Sequence, residues 1–546
     1  MTTEVQCNGH HDASPLISNS LNHNDSHRSW VVQKFGGTSV GKFAVNIAED
    51  IVRASLKNHR IAVVCSARST GKKVEGTTSR LLEIHGVLQS VNSLKDLDSD
   101  YYKSLVSKYE GLVDVIRDDH IAAANSHIRD EAIASRLAKD IETECKEIRE
   151  YRLAVERWHL EIDSRSKDRL VSFGEKLSCR FVAALLQDRG VDAEYLDLSD
   201  AIHFKTPKGM NLEFYRDVAA AIKEKIDACQ DRVPIITGYF GTVPGGLMDG
   251  EIGRGYTDLC AALVAVGVAA EELQVWKEVD GIFTADPSKV PTARLLSTIT
   301  PSEAAELTFY GSEVIHHLTM DQVIRATPPI RIRIKNVRNP RGNGTIILPD
   351  PILEPSQQTH KRSPSPMDSK KTPKRPTAVT IKDKISVINV HSNKRSISHG
   401  FFAKVFSILD SREISVDLIS TSEVHVSMAV HSAHISAEAM QETKTELQEC
   451  GEVSILSEMA ILSLVGSEMK NMVGIAGRMF STLGENNVNI EMISQGKFRI
   501  SVQYIDLTTN ERPSGASEIN ISCVIDAYEA TRAMNILHTN LFTFLE

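Results

Sequence analysis

A glycine-rich turn ends the first apolar segment of the chain. The segment runs into Lys34-Phe35-Gly36-Gly37-Thr38, and a helical pattern begins directly after it. Paired glycines let backbone N–H groups approach an anion, the helix N-terminus adds a partial positive charge, and Lys34 adds a full charge. The turn is therefore a candidate phosphate site, although a tight strand-to-helix turn can need glycine for steric reasons alone. Its spacing is not GxxxxGK[ST], which excludes a P-loop.

Four further clusters combine glycine with charged or hydroxyl side chains. They are Cys65-Ser66-Ala67-Arg68 with Thr77 and Thr78; Phe173-Gly174-Glu175 at an apparent helix start; Thr237-Gly238-Tyr239 followed by Gly253-Arg254-Gly255-Tyr256-Thr257-Asp258; and Trp276 to Pro287. The carboxyl ends of parallel strands are where such sheets bind ligands. An arginine between glycines suits bidentate binding of a carboxylate or a phosphate. Taken singly, each cluster is also explained as a polar surface loop or a helix terminus.

Apolar strands alternate with longer helical stretches in the amino-terminal part of the chain. The predicted strands are 29–34, 60–66, 193–197, 232–237, 273–279 and 330–337. This alternation predicts an α/β fold with a mainly parallel sheet and helices on both faces. Residues 85–165 are charged and helical in pattern, which predicts a helical excursion from the sheet.

Length and composition exclude several classes of protein. The chain has 546 residues, and domains average roughly 150, so we expect several domains. Hydrophobic residues at 41% and charged residues at 24% exclude fibrous and wholly disordered proteins. A net charge of −9 gives no general attraction to nucleic acid, and the scattered cysteines lack metal-ligand spacing. The longest apolar run, Leu259 to Ala270, is too short to cross a bilayer and no secretory leader is present, so we expect a cytoplasmic protein without a membrane partner.

The chain changes character at two places. Residues 1–28 are polar and are predicted to be a disordered tail, while residues 349–377 form a Pro-rich linker after the large part at 29–348. Beyond the linker, His399 to Ser420 matches Val473 to Ser494 at a constant offset of 74. This duplication predicts two small domains at 378–455 and 456–546, each with a ferredoxin-like βαββαβ pattern. The predicted apolar stripe of the first repeated helix is Phe402, Val405, Phe406 and Leu409.

The clusters occur together in an order that resembles one known family. Segments within residues 30–348 are similar to the motifs of aspartate kinases of the amino-acid kinase superfamily. They are KFGGTSVG, VVCSA, FGEKLS, TGYFGTVPGG with GRGYTD, VDGIFTADP and AAELTFYGSEVIH. The duplicated small domain resembles the tandem ACT pair that regulates these enzymes, and its sequence is most like the fungal form. The resemblance implies an amino-acid kinase fold followed by two ferredoxin-like ACT domains.

The same resemblance implies a reaction and its control. Aspartate kinases make L-aspartyl-4-phosphate from L-aspartate and ATP with Mg²⁺, the first step toward threonine, methionine and isoleucine. The ACT pair implies feedback by an amino acid, with L-threonine favoured over lysine, and a homo-oligomer formed through the ACT domains. Two alternatives stay open. Another amino-acid kinase should lack the ACT tail, and an amino-acid-sensing pseudokinase should lack the lysine or arginine present here as Lys34 and Arg254. A fused homoserine dehydrogenase is excluded because no GxGxxG domain follows.

Carried over motif by motif, the resemblance assigns four sets of site residues. The catalytic set is Lys34, Gly36, Gly37 and Asp258, in which Lys34 stabilises the transferring phosphoryl group. The substrate set is Ser66, Thr78, Glu175, Arg254 and Thr257, in which Glu175 and Arg254 hold the amino group and the α-carboxylate of aspartate. The nucleotide set is Lys277, Glu278, Phe283, Asp286, Lys289, Glu313 and Val314. The effector set is Ser398, Phe401, Phe402, Val416, Asp417, Ser422 and Glu423, whose apolar members are equally explained as core. No protein-bound metal is implied.

The chain departs from the family pattern at four places. Ser288 stands where relatives carry a basic residue, with Lys289 next to it, and His316-His317 replaces the usual His-Pro. A doubled Arg-Ile within 330–334 can shift the register of the last strand. The largest departure is an insert at 497–514, which is either a lengthened hairpin or a translated retained intron.

Overall fold

A computed structural model describes residues 21–71, 76–94, 96, 98–202, 210–243, 245–250, 252–253, 255–311, 315–348, 375–392, 400–422, 424–433, 435–495 and 519–543. By their internal contacts the residues divide into two compact units. The first unit comprises residues 1–31, 35–209 and 220–247, and the second comprises residues 32–34, 210–219 and 248–546. No helix within the described ranges has the length and apolar character needed to cross a membrane.

The first unit alternates strands with helices as the sequence predicts. In chain order the elements are β1 (Trp30–Phe35), α1 (Gly37–Asn46), a π-helical segment (Ile47–Arg53), β2 (Arg60–Cys65), α2 (Thr77–Ser93), α3 (Asp100–His127), α4 (Glu131–Trp158), α5 (Ser164–Asp188), β3 (Ala193–Leu196), α6 (Leu212–Ala228) and β4 (Val233–Thr237), of which β1 and α6 are divided between the units. The strand order is β3-β4-β2-β1, and β4 is parallel to both β2 and β3. Helices α3 and α4 confirm the predicted helical excursion.

Helix α5 corrects one prediction from the sequence. The cluster around Glu175 was expected at a helix start, but Glu175 lies in the middle of a helix that runs from Ser164 to Asp188. The glycine there serves close packing, because a Cβ on Gly174 would lie 2.8 Å from the Cβ of Ala67. The local glycine signal was wrong about the helix boundary, since a tertiary contact requires the glycine.

The amino-terminal strands of the second unit continue the α/β pattern. Its elements are α7 (Tyr256–Gly267), β5 (Glu272–Lys277), β6 (Thr298–Ile299), α8 (Pro301–Phe309), α9 (His317–Ile324), β7 (Arg331–Asn336) and β8 (Thr345–Ile347). Strands β5 and β7 pair in parallel in an unbroken register from Glu272 opposite Arg331 to Lys277 opposite Asn336. The doubled Arg-Ile therefore does not shift the strand: Ile332 and Ile334 are buried, while Arg333 pairs with Glu272.

Six antiparallel strands form the sheet of the carboxy-terminal part. Its elements are β9 (Ala378–Ser392), α10 (Phe401–Ser411), β10 (Val416–Thr421), β11 (His425–His431), α11 (Ala437–Leu447), β12 (Gly451–Val465), a 3₁₀ turn (Ser467–Asn471), α12 (Ile475–Glu485), β13 (Met492–Gln495), β14 (Asn520–Asp526), α13 (Ala527–His538) and a π-helical turn (Thr539–Thr543). The strand order is β10-β11-β9-β12-β14-β13.

The two long strands of this sheet each serve both repeats. Residues 387–392 of β9 pair with 451–456 of β12, whereas residues 378–382 pair with 461–465. The first half of β9 thus supplies the last strand of the second copy. Both copies then have the predicted βαββαβ pattern. The boundaries 378–455 and 456–546 stay predictions.

The repeated helices show the duplication in atomic detail. Helices α10 and α12 both begin after a glycine with positive φ, Gly400 at +92° and Gly474 at +84°. The buried stripe of α10 is Phe401, Val405 and Leu409, so Phe401 replaces the predicted Phe402, which is 36% exposed. Residues four apart lie on one face of a helix, and this face of α10 packs against the sheet.

Glu303 joins helix α8 to the carboxy-terminal part of the second unit. It completes a capping box with Thr300, and its other oxygen accepts bonds from the Thr377 hydroxyl at 2.6 Å and the Ser467 N–H at 2.7 Å. Burial disfavours the charged form, but these hydrogen bonds outweigh it, so the pKa of Glu303 lies below its ordinary value of 4.5.

Candidate active site

The glycine turn between β1 and α1 belongs to the first unit. Gly36 is the N-cap of α1 in an extended conformation, and no atom lies within 4 Å of the Cβ it would carry as another residue. A Cβ on Gly37 would lie 2.0 Å from the carbonyl oxygen of Ala67. Gly37 is therefore required for packing, whereas Gly36 leaves the open space that an anion needs beside the helix N-terminus.

The loop after β2 is attached to this turn by backbone hydrogen bonds. The Ser66 N–H donates to Phe35 at 3.0 Å, and the Ser69 N–H donates to Gly37 at 3.0 Å. Ser66 is half-buried, and its carbonyl accepts the Ser178 hydroxyl. The loop thus presents Ser66 next to the glycine turn.

Two neighbouring threonines in the first turn of α2 differ in their hydrogen bonds. Thr77 is buried and donates its hydroxyl to the carbonyl of Arg68 at 2.8 Å. Thr78 is half-buried. Since the hydroxyl of Thr77 is already engaged inside the protein, this arrangement supports Thr78 as the substrate-side residue.

Arg68 is a structural residue, not part of a polar surface loop. It is 6% exposed, pairs with Asp119 of α3 at 2.5 Å, and lies over the ring of Phe181. The adjacent His120 is fully buried, and burial lowers its pKa to about 4, so it is neutral beside the guanidinium. Helix α3 therefore holds the loop after β2 in place through Arg68. The sequence did not reveal this contact.

Two acidic residues of α5 hold the chain that follows β4. Glu175 is 1% exposed and accepts the backbone N–H of Tyr239 at 2.5 Å, while the buried Asp168 accepts the N–H of Leu247. Sequence analysis singled out Glu175 but missed Asp168. The available signal was their spacing of seven residues, which places both on one helix face.

A buried ion pair lies at the start of α7 in the second unit. Lys34 Nζ lies 2.7 Å from Asp258 Oδ1, with only 13% and 15% of the two side chains exposed. Gly255, with φ of +106°, is the N-cap of α7, and Thr257 and Asp258 lie in its first turn. A carboxylate there is favoured by the helix dipole.

Further cations surround Asp258. Burial disfavours its charged form, but the charges of Lys34, Lys277 and His316 outweigh burial, so the pKa of Asp258 lies below its ordinary value. His316 is half-buried, and its pKa is lowered by burial against the opposing effect of Asp258. That His316 acts on Asp258 was not predictable from the sequence, because only the tertiary fold brings α9 to α7.

The predicted nucleotide residues lie at and beyond the end of β5. Glu278 pairs with Arg338 at 3.1 Å, and the half-buried Phe283 forms an antiparallel bridge with Leu295. Asp286 accepts both the N–H and the hydroxyl of Ser288, so the departure at Ser288 closes this turn. Lys289 lies 3.3 Å from Asp383 of β9.

Lys335 lies on the other face of the sheet from Lys277. It lies opposite Trp276 in the β5–β7 register, with its Nζ 4.9 Å from the centre of the indole ring. Successive side chains of a strand point to opposite faces, so the face that Lys335 shares with Trp276 is not the face of Lys277. Burial and the charge of Arg333 lower the pKa of Lys335.

Comparison with known proteins identifies the family of the chain. The amino acid kinase family model matches residues 29–336, and an ACT domain model matches residues 462–503. The chain is 52% identical over 519 residues to the aspartate kinase FUB3 of Gibberella moniliformis, covering 94% of this chain and 98% of that protein. It is 48% identical over 531 residues to the aspartokinase of Saccharomyces cerevisiae, covering 95% and 94%. The chain belongs to the aspartate kinase family.

Solved structures show the same fold. Escherichia coli aspartokinase III in complex with aspartate and ADP superimposes with a TM-score of 0.64 at 24% identity, covering 94% of this chain and 99% of that one. The same enzyme in complex with lysine and aspartate gives a TM-score of 0.66 over the same shares. As an aspartate kinase family member, the chain is an ATP-dependent phosphotransferase, and the predicted family and fold class are confirmed.

The predicted effector residues of this aspartate kinase differ in burial and in their partners. Phe401 is buried with the half-buried Val416 in one apolar cluster, and Ser422 is exposed. Asp417 pairs with Lys382 at 2.7 Å, and Lys382 lies over the ring of Phe309. Several predicted residues lie outside the described ranges: Arg254, Glu313, Val314, Ser398, Glu423 and the insert 497–514.

Proposed function

We propose that this aspartate kinase transfers the γ-phosphoryl group of MgATP to the side-chain carboxylate of L-aspartate. A bond forms between the γ-phosphorus and a carboxylate oxygen, and the bond to the β–γ bridging oxygen breaks, so its electron pair leaves with ADP. The observation that carries the proposal is the buried ion pair of Lys34 with Asp258, in which the two charged atoms lie 2.7 Å apart. Lys34 comes two positions before Gly36 in the chain.

The chemistry calls for positive charge and needs no base. The aspartate side chain has an ordinary pKa of about 3.9, so it is already ionised at neutral pH. The barrier is the approach of one anion to another, which positioned cations and N–H dipoles lower. Lys34 supplies the cation and the Gly36 turn supplies the dipoles. Asp258 holds the Lys34 ammonium in place.

The substrate side of the proposal is built on α5 and the loops that it holds. Glu175 is proposed to bind the α-ammonium group of aspartate, and its orientation is fixed by the Tyr239 N–H. Arg254 is proposed to bind the α-carboxylate through its guanidinium fork. Ser66, Thr78 and Thr257 are proposed as further substrate residues.

The nucleotide side is proposed at the end of β5. Lys277, Glu278, Phe283, Asp286 and Lys289 are its members, together with Glu313 and Val314. Mg²⁺ enters with ATP as part of the substrate, where phosphate oxygens and few carboxylates satisfy its preference for oxygen ligands.

The test is formation of aspartyl hydroxamate from aspartate, MgATP and hydroxylamine by the purified full chain. Wild-type protein should be active, and Lys34→Ala should lose activity by more than about 100-fold, the range for loss of one transition-state contact. The matched control is Lys57→Ala, which removes an exposed lysine and should leave activity unchanged. A wild-type protein that binds ATP but transfers nothing to aspartate would instead be a sensor pseudokinase.

We further propose that L-threonine is the feedback inhibitor and that the chain forms a homo-oligomer through its ACT copies. The paired βαββαβ copies support an amino-acid site, and inhibition requires that the effector bind the inactive arrangement more tightly than the active one. Threonine should inhibit the wild-type enzyme at concentrations where lysine does not. Inhibition by lysine alone, or a mass in solution equal to the 60.3 kDa chain, would contradict the respective proposal.

A further inference from the structure

A hairpin of the kinase part packs against the last helix of the regulatory part, within the second unit. The hairpin runs from Ile282 to Leu296, because the Leu296 N–H donates to Ile282 and the Thr284 N–H donates to Arg294. Its arms also meet at the Phe283–Leu295 bridge. This 282–296 hairpin carries three of the proposed nucleotide residues, namely Phe283, Asp286 and Lys289.

His538, the last residue of α13, connects the two arms of the hairpin. It is fully buried, with Nε2 2.9 Å from the Thr284 hydroxyl and Nδ1 3.2 Å from the Thr292 hydroxyl. The ring also stacks on Phe542, with the centroids 4.9 Å apart and the planes 7° from parallel. The imidazole thus contacts one threonine on each arm and a ring on its face.

The hydrogen bonds determine the form of this imidazole. Thr284 Oγ1 accepts the backbone N–H of Arg294 at 2.9 Å, so its own proton is available to Nε2. Nδ1 then carries the ring hydrogen and donates it to Thr292. Burial first, and the charge of Arg294 second, lower the pKa of His538, which agrees with a neutral ring.

Other bonds attach the hairpin to the same regulatory elements. Asn535, one helical turn before His538, donates its amide to the carbonyl of Lys289 at 2.8 Å. The Val379 N–H of β9 donates to the carbonyl of Thr284 at 2.9 Å. Ala285 and Val290 lie in one apolar cluster with α13 residues. The position of the hairpin therefore depends on α13 and β9.

A histidine at this place is not explained by packing alone. An apolar side chain fills a buried space without cost, whereas a buried imidazole is costly unless both nitrogens are hydrogen-bonded. Here both nitrogens meet hydroxyl groups of the hairpin. The ring therefore fixes the spacing and rotation of the two arms, which an apolar side chain would not do.

We propose that His538 is a positioning residue for nucleotide binding, through which the second ACT copy holds the 282–296 hairpin in its ATP-binding conformation. The inference rests on the proposed function, because the hairpin carries proposed nucleotide contacts. It extends that function by naming the regulatory residue that reaches the nucleotide side.

The test compares His538→Leu with His538→Gln in the full chain. His538→Leu should raise KM for ATP, and Kd for MgADP in calorimetry, about five- to tenfold, the factor for lost hydrogen bonds. KM for aspartate should stay within about twofold. His538→Gln keeps a polar group near the Nε2 position and should recover most of the loss. The control is Tyr528→Ala on the same helix, which removes a 90% exposed side chain and should change neither constant.

A second variant keeps the inference testable if His538→Leu does not fold. Thr292→Val removes the hydroxyl that contacts Nδ1 and should raise the same two constants. The double variant should be no worse than His538→Leu, because His538→Leu already breaks the contact with Thr292. An unchanged Kd for MgADP in a folded His538→Leu or Thr292→Val protein would overturn the inference. So would equal rises in both KM values. If wild-type protein binds MgADP but does not phosphorylate aspartate, the proposed function fails while the Kd comparison still decides the role of His538.

Discussion

Removing the charge of Asp258 tests whether this carboxylate acts through Lys34. The two groups lie 2.7 Å apart, with about one seventh of each side chain exposed. At an effective dielectric constant of about 20 their attraction is about 6 kcal/mol, before the cost of desolvation is subtracted. A hydrogen bond to a charged group is worth about 1.5–3 kcal/mol net. Asp258→Asn keeps the shape of the side chain but loses this charge, and Lys34 then loses its orientation.

We expect Asp258→Asn to lower kcat by about 10- to 150-fold, because each 1.36 kcal/mol corresponds to a factor of ten in rate. The KM values should change less, since the ion pair serves the transferring group and not the initial binding of aspartate. The assay is aspartyl hydroxamate formation at saturating MgATP and aspartate. Circular dichroism and thermal denaturation check that the variant is folded.

The decisive comparison is a double-mutant cycle with Lys34→Met. If Asp258 acts by holding Lys34, the double variant should be as slow as Lys34→Met alone, because Asp258 then has nothing left to position. Losses that multiply would refute the reasoning, since they would assign Asp258 a separate contact with the nucleotide or its metal.

The lowered pKa of Asp258 predicts how kcat depends on pH. A carboxyl group whose pKa is lowered in the folded protein stays charged above its ordinary value of 3.8 and loses its contribution only as the pH falls through the lowered pKa. We therefore expect no acid limb of kcat from Asp258 between pH 5 and 8. An acid limb in that interval that disappears in Asp258→Asn would contradict the ion pair.

The remaining predictions concern stability and the glycine turn. Glu303→Gln should destabilise the protein by about 1.5–3 kcal/mol at neutral pH. Because the pKa of Glu303 is lowered, this stabilisation is present above pH 4.5 and lost as the pH falls through the lowered pKa, so a thermal-midpoint difference that persists in acid would be inconsistent. Gly37→Ala should not yield folded enzyme, because its Cβ would meet the Ala67 carbonyl at 2.0 Å, whereas Gly36→Ala should fold; equal soluble yields would disprove the packing argument.

Short-range patterns made much of the fold predictable. The six predicted strands, the helical excursion and the repeated pattern of strands and helices appear in the structure. The reason is that hydrophobic periodicity and turn chemistry depend on residues close together in the chain. The glycine turn was foreseen for the same reason, since strand, glycines and helix lie within a few positions of one another.

The same local signals were wrong where distant contacts decide the outcome. Gly174 suggested a helix start, but the helix continues because the glycine admits Ala67. Arg68 resembled a surface residue, yet it is buried against Asp119 of α3. The predicted stripe began at Phe402, whereas packing on the sheet buries Phe401.

The sequence by itself determined the elements, the duplication and the residue types available for phosphoryl transfer, because each of these is written in local order and spacing. Only the tertiary structure decided that Lys34 faces Asp258, that one long strand completes two repeats, and that His538 reaches the 282–296 hairpin. These pairings join segments far apart in the chain. They are selected by packing and by the need to satisfy buried polar groups, which no single segment of sequence contains.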